Sequence, residues 1–292
     1  MNDRIWWFGT SSWSERSWVG PFYDSGTQAK DFLSAYARRY GAVEADTTYY
    51  RSPSPKMVRG WRERTPAGFR MAAKFPRSIV HAGDGPRPDG DRALNMASVG
   101  EEVERFLSAV SLLGDRCGPL LVQLPYFNRT HFSGEAAFLA RLDDFLGALP
   151  GEFRYAVEVR NKQWYTSGLT ELLRGHGAAF CLSDHKYLPH PSEVIEGLDV
   201  ATADFSYVRL IGDRAAVDSL ADGFDREVID QSGRIQRLAR SLEGLSQDVR
   251  EVWAFANNHY AGHGPASIDR LAKELTGAAP TRPMSDDGGL PF

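Results

Sequence analysis

Residues 5–18 read IWWFGTSSWSERSW, a short apolar run that gives way abruptly to small, hydroxylated and aromatic residues. The run has the length of a strand, and the residues after it discriminate between two parallel-sheet folds. A doubly wound sheet that binds a dinucleotide continues its first strand with G-x-G-x-x-G at the opening of a helix. Here Gly9 stands alone before TSSWSERSW, so nothing supports a dinucleotide site. The other possibility is a closed barrel, for which the number of strand–helix units is the test.

Seven more runs of the same kind follow: AVEADTT near 42–48, FRMAAKF near 69–75, PLLVQLP near 119–125, YAVEVR near 155–160, AAFCLSD near 178–184, SYVRLIG near 206–212 and EVWAFAN near 251–257. Segments with helical spacing separate them. Phe32, Leu33, Tyr36 and Tyr40 form one stripe; Val99, Val103, Phe106, Val110 and Leu113 a second; Phe138, Leu142, Phe145 and Leu146 a third. Ser54-Pro55 reads as an N-cap followed by Pro at the first helical position. Leu169, Leu172 and Leu173, then Ile235, Leu238 and Leu242, then Ile268, Leu271 and Leu275, mark later helices, and only a short helix fits after Pro191. Eight such units in roughly 275 residues predict an α/β fold, a single (β/α)8 TIM-type barrel. Its expected span is 1–276, with a flexible tail at 277–292 that contains TRPMSDDGGLPF.

A 42% hydrophobic content with 25% charged residues is that of a globular chain with ample core. The net charge of -4, with both signs interspersed, disfavours a general nucleic-acid coat or a membrane-surface protein. Cys117 and Cys181 have no metal-type spacing and read as reduced thiols, and the start MNDRIWWFGTSSW lacks a signal-peptide pattern. The expected location is cytoplasmic, without a membrane span.

Barrel enzymes work at the C-terminal ends of their strands, and several strands here carry polar residues there. Glu44, Asp46 and Thr48 share one face of the second strand by the two-residue repeat, and Glu158 and Arg160 one face of the fifth. Lys74 ends the third, Gln123 the fourth, Ser183-Asp184-His185 the sixth and Asn257-Asn258-His259 the eighth, while Arg209 lies in the seventh. Parallel strands are normally apolar on both faces, so these charges must neutralise one another, face a wet cavity, or both. The aromatics Trp13, Trp18, Phe22, Tyr23, Tyr49, Tyr50, Tyr126, Phe127, Trp164, Tyr165 and Tyr260 come after the strands. Singly such rings pack under loops; together they suit the walls of a pocket.

The ordered blocks GTSSWSERSWVGPFY, VEADTTYYRSPSP, FRMAAKFPRSIVH, LLVQLP, AVEVRNKQWY, CLSDHKYLP, YVRLIG and FANNHYAGHGP resemble those of the DUF72 family, also called YecE-like proteins. The resemblance spans about 5 to 275 and implies a TIM-type barrel; it supplies no reaction. The family pattern falls on Gly9, Thr10, Ser11, Trp13, Glu44, Tyr50, Arg51, Lys74, Pro76, Arg77, Gln123, Pro125, Glu158, Arg160 and Trp164, then on Asp184, Arg209, Asn257, Asn258, Tyr260, Gly262, His263 and Pro265. After the seventh strand, GDRAAVDSLADGFDREVIDQSG departs from it, lacking a tyrosine-bearing aromatic loop.

The expected function is an enzyme acting on a small polar or anionic substrate, a sugar, sugar phosphate or phosphoester. Hydrolase and isomerase or lyase chemistry all fit. Glu44, Glu158, Lys74 and Asp184 are the candidate catalytic residues, with the two glutamates as an acid/base pair. Ser11, Trp13, Tyr50, Arg77, Gln123, Arg160, Trp164, Arg209, Asn257, Asn258, Tyr260 and His263 are the candidate substrate contacts. No cofactor is expected. A divalent-metal alternative would draw on Glu158, Asp184, His185, His259 and His263, but Gly262, Gly264 and Pro265 break the helix that a zinc motif needs. A Schiff-base role for Lys74 ranks below a charge-partner role. The competing readings are a purely structural salt-bridge web and a non-catalytic ligand- or nucleic-acid-binding accessory.

Overall fold

The apolar runs form eight parallel strands in the computed structural model, which describes residues 4–83 and 85–280. They are β1 (Ile5–Thr10), β2 (Ala42–Ala45), β3 (Arg70–Lys74), β4 (Cys117–Gln123), β5 (Tyr155–Glu158), β6 (Ala179–His185), β7 (Phe205–Gly212) and β8 (Glu251–Ala256). The sheet order is β1-β8-β7-β6-β5-β4-β3-β2, each pair parallel. Helices α1 (Phe32–Tyr36), α2 (Pro55–Glu63), α3 (Arg77–Val80), α4 (Met96–Val110) and α5 (Glu135–Gly147) lie between the early strands. Later come α6 (Ser167–Gly175), α7 (Pro191–Gly197), α8 (Arg214–Asp218), α9 (Ser232–Leu245) and α10 (Gly264–Thr276).

β1 and β2, the two ends of the order, meet across a seam stitched by one side chain. The Tyr36 hydroxyl accepts from the Thr10 amide at 2.8 Å and donates to the Ala42 carbonyl at 3.1 Å. Gly9 permits this approach: a Cβ there would sit 2.1 Å from the Ala42 oxygen. The lone glycine of the first strand thus serves barrel closure.

Strand alternation sorts the remaining side chains. Phe8, Val43, Met71, Leu120, Val157, Leu182, Val208 and Val252 point outward into the main core with the helices. Trp7, Ala42, Ala72, Leu121, Ala156, Cys181, Tyr207 and Trp253 fill the barrel interior. Its N-terminal end is plugged by Trp7 stacked on Trp253 at 5.1 Å, both indoles donating to Glu251, at 2.9 and 3.1 Å. Two residues further along several strands the interior turns polar: Ala42 leads to Glu44, Ala72 to Lys74, Leu121 to Gln123, Ala156 to Glu158, Cys181 to Ser183 and Tyr207 to Arg209. The lower barrel is apolar and the upper layer is charged.

Some boundaries differ from the sequence reading. β2 stops at Ala45, and residues 46–49 turn in a 3-10 helix in which Thr48 Oγ1 accepts from the Lys74 amide at 2.8 Å. Asp46 and Thr48 therefore leave the strand face expected for them. β5 ends at Glu158, placing Arg160 in the following loop. Tyr40 lies beyond α1, because β2 begins two residues later. The Ser54 cap is present, its hydroxyl accepting from the Met57 amide at 3.2 Å. α10 closes at Gly277 with φ 75°, and the tail expected at 277–292 lies outside the described residues from 281 onward. Among the described residues, no helix is long and apolar enough to cross a membrane.

Candidate functional site

The charged layer at the C-terminal end of the barrel is one connected network. Glu44, fully buried, accepts from Arg209 Nε at 2.9 Å, Arg209 Nη2 at 2.8 Å and the Tyr207 hydroxyl at 2.7 Å. Arg209 Nη1 also reaches Gln123 Oε1 at 2.9 Å and Glu158 Oε2. Glu158 Oε1 takes Arg160 Nη2 at 2.6 Å and the Ser183 hydroxyl at 3.2 Å. Lys74 Nζ donates to Gln123 Oε1 at 3.0 Å, pairs with Asp46 and lies 3.6 Å from Glu44.

Burial alone would raise both glutamates. At Glu44, Arg209 and Lys74 outweigh it and hold the carboxyl below the usual range. At Glu158, Arg160, Arg209 and Lys74 outweigh it and hold the pKa at about 2. An acid/base pair needs two pKa values pushed apart, whereas here both go down. Glu44 is paired with Arg209, and Glu158 with Arg209 and Arg160. Lys74 Nζ is ringed by acceptor oxygens, the setting of a charge partner.

Two cavities open around this layer. The larger, about 670 Å³, lies over β4–β6 and is lined by Gln123, Leu124, Pro125, Tyr126, Arg160, Lys162, Gln163, His185, Tyr187 and Leu188. Both lone pairs of Gln123 Oε1 are taken by Lys74 and Arg209, so its amide N–H groups remain as donors. His185 Nδ1 accepts from the Tyr187 amide at 3.2 Å, which puts the neutral ring's proton on Nε2. Burial, then Arg160, push the His185 pKa down to about 4. The smaller cavity, about 150 Å³, lies over β1 and β8, with Ser11, Asp46, Asn257 and Asn258 among its lining.

The remaining candidates scatter. Asp184, one residue from inward-facing Ser183, points to the helix layer, where Arg234 of α9 and the Tyr260 hydroxyl, at 2.8 Å, hold it. It is separate from the Glu44–Glu158 network, and Tyr260 is its partner rather than a ligand contact. Trp164 stacks on Phe138 at 4.3 Å within the core. Trp13 packs edge-on against Trp61 at 5.7 Å. His263 is buried, its Nδ1 2.8 Å from the Phe224 carbonyl. Tyr50 is 76% exposed, while its neighbour Tyr49 lies 5.9 Å from Lys74 and feels Arg77 and Arg160. Arg77 itself holds His81 at 3.3 Å.

The sequence reading passes over Tyr207 and Ser183 as network members and over Lys162 and Tyr187 as cavity walls. Tyr207 is detectable, being two residues from Arg209 on the same face. Among the described residues, no three of His, Cys, Asp and Glu are grouped to hold a metal ion. Of the set named for a metal, Glu158 lies in the network, Asp184 on the helix layer, His185 in the larger cavity and His259 in the smaller, while His263 is buried against the Phe224 carbonyl.

A sequence profile of the family described as "Protein of unknown function DUF72" matches residues 7–287. UPF0759 protein YecE of Escherichia coli (strain K12) is 36% identical over 171 residues, 59% of this chain and 54% of that protein. The chain thus spans about half the length of the curated relatives it matches. A DUF72 family protein from Thermotoga maritima superposes with a TM-score of 0.64 at 24% identity, covering 93% of this chain and 99% of that one. A second, from Enterococcus faecalis, gives 0.68 at 21% identity, covering 97% and 100%. At these identities the structural likeness speaks for the barrel alone. By the profile match, which covers most of its length, the chain belongs to the DUF72 family.

Proposed function

We propose that this barrel is an enzyme for a small ligand bearing an anionic group, bound in the larger cavity. One observation carries the reading: the described lining offers Arg160, Lys162, the Gln123 amide and His185 Nε2–H, and no carboxylate. Such a set of donors and cations, partly withdrawn from water, favours a phosphate or carboxylate. Tyr126 and Tyr187, 59% and 71% exposed, flank the opening and suit a sugar or planar portion of the ligand. The ionised Glu158 aims Arg160 from below, so the charged layer acts as a preorganised support. A sugar phosphate or phosphoester fits this division, with hydrolysis or isomerisation as the reaction classes. Two free thiols, pushed up in pKa by burial, support a reducing, cytoplasmic setting.

A second reading, binding without turnover, is favoured by the complete pairing of Glu44 and Glu158, which leaves neither carboxylate free for proton transfer. A thermal-shift screen of neutral sugars, sugar phosphates, nucleotides and oligonucleotides tests the ligand class. Stabilisation by phosphorylated sugars is expected. Stabilisation by neutral sugars alone would remove the anion site, and by oligonucleotides alone would favour a nucleic-acid accessory.

A further inference from the structure

Two residues in the wall of the smaller cavity carry polar atoms that find no partner among the described residues. Ser11 Oγ and Trp18 Nε1 are buried, their residues 3% and 1% exposed, and neither has a hydrogen-bond partner among the described residues. Both residues line the cavity. Buried polar atoms are paired in nearly all folded proteins, so two orphans on residues that wall one cavity point to something that fills it.

The other walls define its chemistry. Asn257 Oδ1 accepts from the His259 amide at 3.0 Å and Asn258 Oδ1 from the Gly264 amide at 2.9 Å, which leaves both amide nitrogens as donors. Asp46 is the acceptor, and its counter-ion Lys74 is not part of this lining. No Lys or Arg is among the described lining residues, and Asp46 places a carboxylate there, so the lining disfavours a free anion. The segment after β7 braces the site: Asp218 Oδ1 lies 3.2 Å from His259 Nε2, and Phe224 packs edge-on against the same ring at 4.9 Å. This is the stretch that departs from the DUF72 pattern.

We propose that this cavity is a binding compartment for a neutral, polyhydroxylated group of three-carbon size. A hydroxyl can donate to Asp46 while its oxygens accept from Trp18 Nε1, Ser11 and the two amides. A space of about 150 Å³ holds a ligand of about six heavy atoms, the size of a triol. The inference is independent of the anion reading, since the two cavities share no lining residue.

The test is a titration of protein carrying ¹⁵N-labelled tryptophan, following the Trp18 indole N–H, assigned through its contact with the Phe22 ring, whose centroid lies 5.3 Å away. Glycerol is expected to move this resonance saturably, with binding about fivefold weaker in Ser11→Ala, the effect of one neutral hydrogen bond. Inorganic phosphate is expected to leave it unmoved, and Arg160→Gln to keep the glycerol response. No saturable shift with glycerol would mean that water alone fills the cavity and would overturn the proposal. So would a shift with phosphate, or a glycerol response lost in Arg160→Gln and kept in Ser11→Ala.

Discussion

Arg209 clasps Glu44 through two parallel hydrogen bonds, Nε to Oε2 at 2.9 Å and Nη2 to Oε1 at 2.8 Å, although their strands, β7 and β2, are not neighbours in the sheet. The remaining nitrogen of the same guanidinium reaches Glu158 of β5. One cation therefore ties three separated strands across the barrel interior. Removing it leaves two buried carboxylates short of positive charge, so Arg209→Met is expected to lose about 3–5 kcal/mol in urea unfolding. A loss below about 1 kcal/mol would show that the layer contributes little to the fold.

The same pairing sets an acid limit. Glu44 and Glu158 are held below the ordinary value of 4.5, so the stability they contribute is full above that pH. It is lost as pH falls through the folded-state value, about 2 for Glu158. Melting temperatures should fall steeply between these limits. Glu158→Gln should be less stable at neutral pH and flatter over the acid range; an unchanged acid profile in that variant would remove Glu158 as its source.

The Tyr36 hydroxyl bridges the closing seam. Tyr36→Phe deprives the Thr10 amide and the Ala42 carbonyl of their shared partner, an expected cost of about 1–3 kcal/mol. Hydrogen exchange at the Thr10 amide should quicken more than overall stability falls. Unchanged protection there would mean that β1 and β2 hold together by packing alone.

The strands are legible because parallel strands buried on both faces are written as near-continuous apolar runs. Glu44, Lys74, Gln123, Glu158 and Arg209 stand out for the same reason, as polar residues inside such runs. Side is harder to read than place. Ser183-Asp184-His185 is polar at every step, so nothing local shows that Ser183 faces the network and Asp184 the helices. Tyr49 and Tyr50 sit in a turn, where no period tells which ring points inward. Trp164 and His263 look like ligand contacts until Phe138 and the Phe224 carbonyl are seen beside them. Those partners come from distant elements, and local sequence does not record them.

The proposed anion site of the larger cavity turns on Arg160. The decisive measurement is isothermal titration calorimetry of the best sugar phosphate from the thermal-shift screen, against the wild type and Arg160→Gln. Loss of a charge-assisted contact predicts binding weaker by about 10- to 100-fold in the variant, with the neutral parent sugar binding poorly to both. Equal affinity of the wild type and Arg160→Gln, or a neutral sugar that binds as tightly as its phosphate, would rule out an anion site at Arg160.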